Sequence, residues 1–316
     1  MTCDIYTLGE SMGVIQTPTG TLFDGASTCR VGMGGAESNV AIGTARLGLQ
    51  VMWVGRVGDD SLGRRITKEL RGEGVNAQVT VDDGASTGIL LKEMRSVKHT
   101  KVTYYRRGSA GSRLDANDVH ESALAESHIL HVTGITLGIS DSARNDVRRA
   151  VDIAASVGTA VSFDINHRHS VWGSRSAVLD YTEIASRALI LFAGIDEARL
   201  ILPPSTPDHQ LAAELAERYD IPEVIIKRGA DGADAIIDGN YLQVPAYEVP
   251  VVDSVGAGDA FVAGYLAARA RGAAPIHRLE TAAIVAGFVC MSPGDWEGAP
   301  RWRDIEIAND AEWVSR

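Results

Sequence analysis

Short apolar runs separated by amphipathic stretches organise the second half of the chain. "HILHVTGI", "AVSFDIN", "ALILFAG" and "EVIIKRG" are each the length of a buried strand. Between them, "SDSARNDVRRAVDIAASVG" and "PDHQLAAELAERYD" carry apolar positions at helical spacing. Alternation of this kind implies right-handed βαβ crossovers, and therefore an α/β fold whose mostly parallel sheet has helices on both faces. In the first half, "IYTLG" (5–9) predicts one more buried strand and "NVAIGTARLG" (39–48) a helix stopped by Gly48. Leu62, Ile66 and Leu70 recur every four residues in "SLGRRITKELRGEGV", on the face opposite Arg64, Arg65, Lys68 and Arg71, which predicts a surface helix.

Two regions break the alternation. About 12–33 contains the half-exposed strands "GVIQTP" and "STCRVGMGG", and 86–107 reads as two strands joined by a polar turn in "TGILLKEMRSVKHTKVTYYRR". We expect them to build a small β lid on a single domain spanning 1–316. Ligands in open α/β sheets bind beyond the carboxyl ends of the strands. Asn166, Arg168, Lys227 and Gly229 all follow directly after predicted strands.

Composition changes this picture little, but it removes several classes of function. At 316 residues, 45% hydrophobic and 22% charged, the chain is an ordinary globular one. Three scattered cysteines without a C-x-x-C pair suggest neither a disulfide framework nor zinc. The N-terminus lacks a basic-then-apolar leader and no run approaches the roughly 18 apolar residues of a membrane span; a cytoplasmic protein without a membrane partner is expected. A formal charge of −11 argues against nucleic acid. It also means that an anionic substrate must be drawn in by a few well-placed arginines.

The chemistry gathers in "DSVGAGDAF" (253–261). A glycine turn opening a helix presents the N–H groups of Gly256, Ala257 and Gly258, an oxyanion-binding geometry. Asp259 follows in the first helical turn, where the dipole should keep it ionised as a general base at neutral pH. A base beside an anion hole suits phosphoryl transfer to an alcohol. An aspartate that merely favours an early helix position is the plainer alternative. The absence of any Gly-Lys dipeptide excludes a P-loop, and "GMGGAE" and "GAGDAF" both lack the third glycine of a dinucleotide fingerprint. His128 and His131, three apart in a strand, face opposite sides and make no metal pair.

"DSVGAGDAF" resembles the C-terminal signature of the ribokinase-like (PfkB-type) carbohydrate kinases; "VGMGGAESNVAIGTARLG" followed by "VGRVGDDSLG" is similar to their N-terminal one. The resemblance runs the full chain and implies a three-layer α/β sandwich with a β lid. "KVTYYRRGSAGSRL", "FDINHRHSVW" and "PGDWEGAP" are similar to segments of 2-keto-3-deoxygluconate kinases. That likeness implies Asp259 as the base, with Gly34, Gly35 and Asn39 on sugar hydroxyls, Tyr104, Arg106 and Arg168 around the substrate, and Asp295 nearby. It places the nucleotide at Asn166, Lys227, Gly229, Gly232 and the Gly256–Gly258 turn. ATP and Mg2+ are the implied cofactors, with a monovalent cation a further candidate. Glu197 in "GIDE" would help organise magnesium through water, although Gly194 stands where the family commonly has asparagine; His167 likewise replaces a common tyrosine. Arg106 and Arg168 could bind a sugar-acid carboxylate through charge-assisted hydrogen bonds. The alternatives left open are a kinase of a neutral sugar such as fructose or ribose, and a silent sugar-binding sensor. The lid strands "TCRV" and "GILLKE" offer apolar surface for a homo-oligomer.

Overall fold

The computed structural model describes residues 3–96 and 99–309. In chain order its strands are β1 (Cys3–Leu8), β2 (Met12–Gln16), β3 (Arg30–Gly34), β4 (Val51–Gly58), β5 (Asn76–Asp82), β6 (Ile89–Ser96), β7 (His99–Tyr105), β8 (Ser127–Thr133), β9 (Ala160–Asp164), β10 (Ile190–Gly194), β11 (Glu223–Lys227), β12 (Ala233–Ile237) and β13 (Asn240–Val244). Nine of them form one sheet in the order β13-β12-β11-β10-β9-β8-β1-β4-β5, and β3-β2-β6-β7 form a second.

From β11 to β5 every neighbouring pair is parallel. Such strands are covered on both faces, so their residues alternate between two cores rather than between core and water. Ile5, Ile129, Phe192 and Ile225 pack with Val40, Ile42, Val262 and Leu279 on one side; Leu8, Leu130, Leu191 and Val224 pack with Val147, Val151, Ile184 and Leu215 on the other. Each such buried side chain contributes about 1.5–3 kcal/mol of transfer free energy. The predicted α/β sandwich is therefore the observed one.

The local expectations hold with small shifts. The first helix is Ala36–Arg46, three residues earlier than read, and Gly48 ends it at φ +86°. In the helix Ser61–Gly72, Ile66 and Leu70 are fully buried and Leu62 partly, while the four basic residues are exposed. Asp60 caps it by accepting from the Gly63 amide at 2.8 Å. His128 is exposed and His131 buried, on opposite faces of β8. The alternation did not foresee β12 and β13, an antiparallel edge hairpin. Its turn is Asp238–Gly239, at φ +49° and +78°, joining Ile237 to its partner Asn240. Both central residues at positive φ make this the two-residue turn that matches strand twist.

β1 is the switch point. After it the chain visits the second sheet, lays β4 and β5 to one side, returns to the second sheet, and only then adds β8 on the other side. The crevice beyond β1, β8 and β9 opens there, and the small sheet lies across it: Met12, Val14 and Leu90 are buried with Val102 and Tyr104 packed against them. The tip of the turn between β6 and β7, residues 97–98, lies outside the described residues. No helix among those described is long and apolar enough to cross a membrane.

Candidate active site

Helix Ala257–Ala270 starts from Gly256, held in the left-handed region at φ +80°. Here glycine is required twice. A Cβ would also meet the Asp295 carbonyl oxygen at 1.8 Å. The helix has no side-chain cap. The Ala257 amide reaches back to the Ser254 carbonyl at 3.3 Å, so of the three amides expected to form the anion hole, Gly256 and Gly258 are the ones left for a ligand. A Cβ on Gly258 would lie 3.6 Å from the Lys227 ammonium. That ammonium bonds both oxygens of Asp164, at 2.8 and 2.7 Å. Burial works to lower the Lys227 pKa, but Asp164 and Glu197 outweigh it and hold the group raised and charged.

Asp259 faces a cavity lined in part by Glu10, Asn39, Tyr104, Arg106, Asn166, Arg168 and Asp295. Its carboxylate is gripped by two neutral amides: Asn39 donates to Oδ2 at 2.8 Å and Asn166 to Oδ1 at 3.1 Å. Asn166 adopts φ +34° to do so, an uncommon backbone conformation at a position where side-chain aim matters. Asn39, expected on sugar hydroxyls, and Asn166, expected on the nucleotide, both bond Asp259 in the structure. The helix dipole, expected to hold Asp259 ionised, is not the largest influence on it. Burial pushes its pKa up to about 7, with the Asp164 charge adding to the rise and the Asn39 bond, Lys227 and Arg168 opposing it. Desolvation outweighs a dipole effect of about 0.3–1 kcal/mol.

The two arginines are not equivalent. Arg106 is 12% exposed and bound by Glu10, from Nε at 2.8 Å and Nη2 at 2.5 Å, with its guanidinium over the Tyr104 ring. Glu10 Oε1 also accepts from Ser109 at 2.5 Å. Arg168 is exposed at the cavity edge, and among the described residues its guanidinium makes one hydrogen bond, of 3.5 Å, to the His167 carbonyl. One guanidinium is fixed and neutralised. The other is free to take an anion.

Gly34 and Gly35 allow β3 to approach the opposite wall: a Cβ on Gly34 would lie 2.5 Å from Asp295 Oδ2, and one on Gly35 2.3 Å from the Glu10 carbonyl. Burial pushes the Asp295 pKa up to about 6, against the nearby Lys92. Glu197 is held by backbone amides. Oε2 accepts from the Gly194 amide at 2.7 Å and Oε1 from the His167 amide at 3.0 Å. His167 Nδ1 lies 2.9 Å from the Tyr181 hydroxyl, and burial lowers its pKa.

On the far side of the anion turn, Gly229 and Gly232 sit at φ +58° and +89° in the loop after β11. A Cβ on Gly232 would meet the Val244 carbonyl at 2.0 Å. Val244–Tyr247 form one wall of a groove of about 450 Å³, whose other wall is His277, Glu280, Thr281, Ala283 and Ile284 of the helix Pro275–Cys290. Glycine turn, Lys227, Gly232 and groove thus follow one another along the crevice. Glu10, Lys92, Asp164 and this groove were not found from the sequence. Glu10 and Asp164 carry the same signal as Asn166, a polar residue at a strand's carboxyl end, and Lys92 is a charge between Leu90 and Met94 on an apolar strand face.

Known proteins place this arrangement. The chain is 32% identical to a 2-dehydro-3-deoxygalactonokinase of Haloferax volcanii, over 84% of each chain. It is 31% identical to a 2-dehydro-3-deoxygluconokinase of Bacillus subtilis, over 95% of this chain and 93% of the relative. An E. coli Ribokinase II structure in complex with ATP and Mg2+ superposes with a TM-score of 0.89, at 26% identity, over 96% of this chain and 98% of that one. The model described as "pfkB family carbohydrate kinase" matches residues 5–302, and a chain with this crevice, this glycine turn and this aspartate belongs to that family of carbohydrate kinases.

Proposed function

We propose that the protein transfers the γ-phosphoryl group of ATP to the terminal hydroxyl of 2-keto-3-deoxygluconate or a closely related sugar acid. The observation that carries the substrate class is Arg168, without an ion-pair partner among the described residues, at the edge of a cavity that Asp259 also lines. A carboxylate entering there finds a guanidinium that makes no ion pair among the described residues, with Arg106 already oriented by Glu10. The relatives named above carry sugar-acid substrates in their names, which supports the same class.

Asp259 accepts the hydroxyl proton as the oxygen attacks, and Asn39 and Asn166 keep its carboxylate aimed at the cavity. The Gly256 and Gly258 amides and the Lys227 ammonium face the phosphoryl group in transfer. The groove at Val244–Tyr247 suits the nucleotide base. Among the described residues no three of His, Cys, Asp and Glu converge on a metal cage; the carboxylate of Glu197 would help hold magnesium through water, and the ion would supply neutralisation of phosphate charge. We further place the enzyme in the cytoplasm, where its free Cys3, Cys29 and Cys290 stay reduced. Self-association would use the outer face of the small sheet, where Tyr105 is 62% and Val31 39% exposed.

A coupled ADP assay with 2-keto-3-deoxygluconate, 2-keto-3-deoxygalactonate, fructose and ribose tests the proposal. The sugar acids should have the highest kcat/KM. A clear preference for a neutral sugar would reject Arg168 as the substrate ligand.

A further inference from the structure

Lys92 is a lysine with no solvent exposure, on β6 of the small sheet. Its ammonium lies 2.5 Å from Asp253 Oδ2 and 3.4 Å from Asp295 Oδ1, and those carboxylates are 2% and 7% exposed. Burying three charges so completely is expensive unless each is compensated, and a stabilising role alone does not explain where they are. Asp253 opens the glycine turn: its Oδ1 accepts from the Val255 amide at 3.2 Å, and its Oδ2, the oxygen held by Lys92, also accepts from the Gly294 amide at 3.3 Å. Asp295 is the residue whose carbonyl backs directly onto Gly256 and whose carboxylate lines the sugar cavity. One ammonium therefore joins the loop that shapes the anion-binding turn to the loop that touches the sugar, and it arrives from a different sheet.

We propose that Lys92 is a positioning residue that serves as the resident cation of the anion-binding turn. A compact monovalent charge is what two facing carboxylates need, and a lysine supplies it covalently, at full occupancy and in a fixed place. The enzyme then has no need of an added monovalent cation at this point. Lys92 lines the same cavity as Asp259, but its ammonium bonds Asp253 and Asp295; it acts through Asp253 on the Val255 amide and through Asp295 on the sugar side. The inference rests on the chain being a carbohydrate kinase, not on which sugar it takes, so the assays use whichever acceptor is turned over fastest.

The native enzyme is first assayed with ATP and Mg2+ in a buffer whose only other cation is tetramethylammonium, then with potassium or ammonium added. Its kcat should change by less than about twofold, and an activation of more than about tenfold by potassium overturns the proposal. Lys92→Ala should be folded by circular dichroism and lose about 10–10² in kcat with the KM for ATP nearly unchanged. Ammonium or methylammonium, but not tetramethylammonium, should restore kcat saturably. A folded Lys92→Ala with native kcat, or one that no small ammonium ion rescues, overturns it. Should Lys92→Ala not fold, Lys92→Met/Asp253→Asn removes both charges of the tight pair together. That variant, folded, should show the same loss in kcat, and native kcat in it overturns the proposal.

Discussion

Asp164 and Asp259 are two buried carboxylates at the same end of the sheet, and the protein treats them in opposite ways. Asp164 has Lys227 on both oxygens; among the described residues Asp259 is hydrogen-bonded by the neutral amides of Asn39 and Asn166, and Lys227 and Arg168 act on it only through space. Amides aim a carboxylate without forbidding its protonation, and burial does the rest, moving Asp259 up to about 7. At Asp164 the fold supplies an opposite charge in direct contact; at Asp259 it supplies direction through amides and keeps the cations at a distance. A base that titrates near neutrality is also the more effective one, since it is available yet still basic.

The contrast can be broken most directly at Asp259. Asp259→Asn should lower kcat by about 10²–10⁴ with substrate KM nearly unchanged; a variant with near-native turnover removes the base and with it half of the comparison. At the other carboxylate the effect should fall on stability. Lys227→Met leaves Asp164 buried without its counter-charge, at a cost of about 3–5 kcal/mol, seen as a lowered midpoint in urea unfolding. An unchanged midpoint would show that the pair is not locked. A third measurement concerns the free guanidinium. Arg168→Ala should reduce kcat/KM for a sugar acid by about 10–10² and leave that for a neutral sugar alone, so equal losses on both would remove its selectivity.

The smallest effect is the most diagnostic. The protonated form of Asp259 cannot accept the hydroxyl proton, so kcat/KM should fall about tenfold per pH unit below about 7 and level off above it. The Asn39 bond lowers this pKa. Asn39→Ala should therefore move the acid limb to higher pH, and a limb that stays in place would assign the titration to another group.

Much of this was legible in the chain itself. Strands such as "ALILFAG" and helices such as Ser61–Gly72 follow from periodicity because packing on both faces demands it. The turn at Gly256 follows from glycine spacing. What sequence could not show is pairing at long range. Arg106 and Arg168 look alike in the chain; only Glu10, 96 residues from Arg106, separates their roles. Lys92 meets Asp253 across 161 residues. The pKa of Asp259 failed for a similar reason, since a helix start is visible locally whereas desolvation depends on everything folded around it. The hairpin β12–β13 was missed because the chain there leaves the strand–helix rhythm without warning.

That hairpin decides something its own residues never touch. Ala233, next to Gly232, pairs with Val244, and the register is counted from a two-residue bend at Asp238–Gly239, about 16 Å away along a five-residue strand. One residue inserted at the bend would turn every later side chain to the opposite side of the sheet and slide the wall at Val244–Tyr247 along the crevice. The width of this groove, where the nucleotide base is proposed to lie, is thus dimensioned by a remote edge loop, and under that proposal a length variant there would be a lever on donor choice that leaves the sugar end alone.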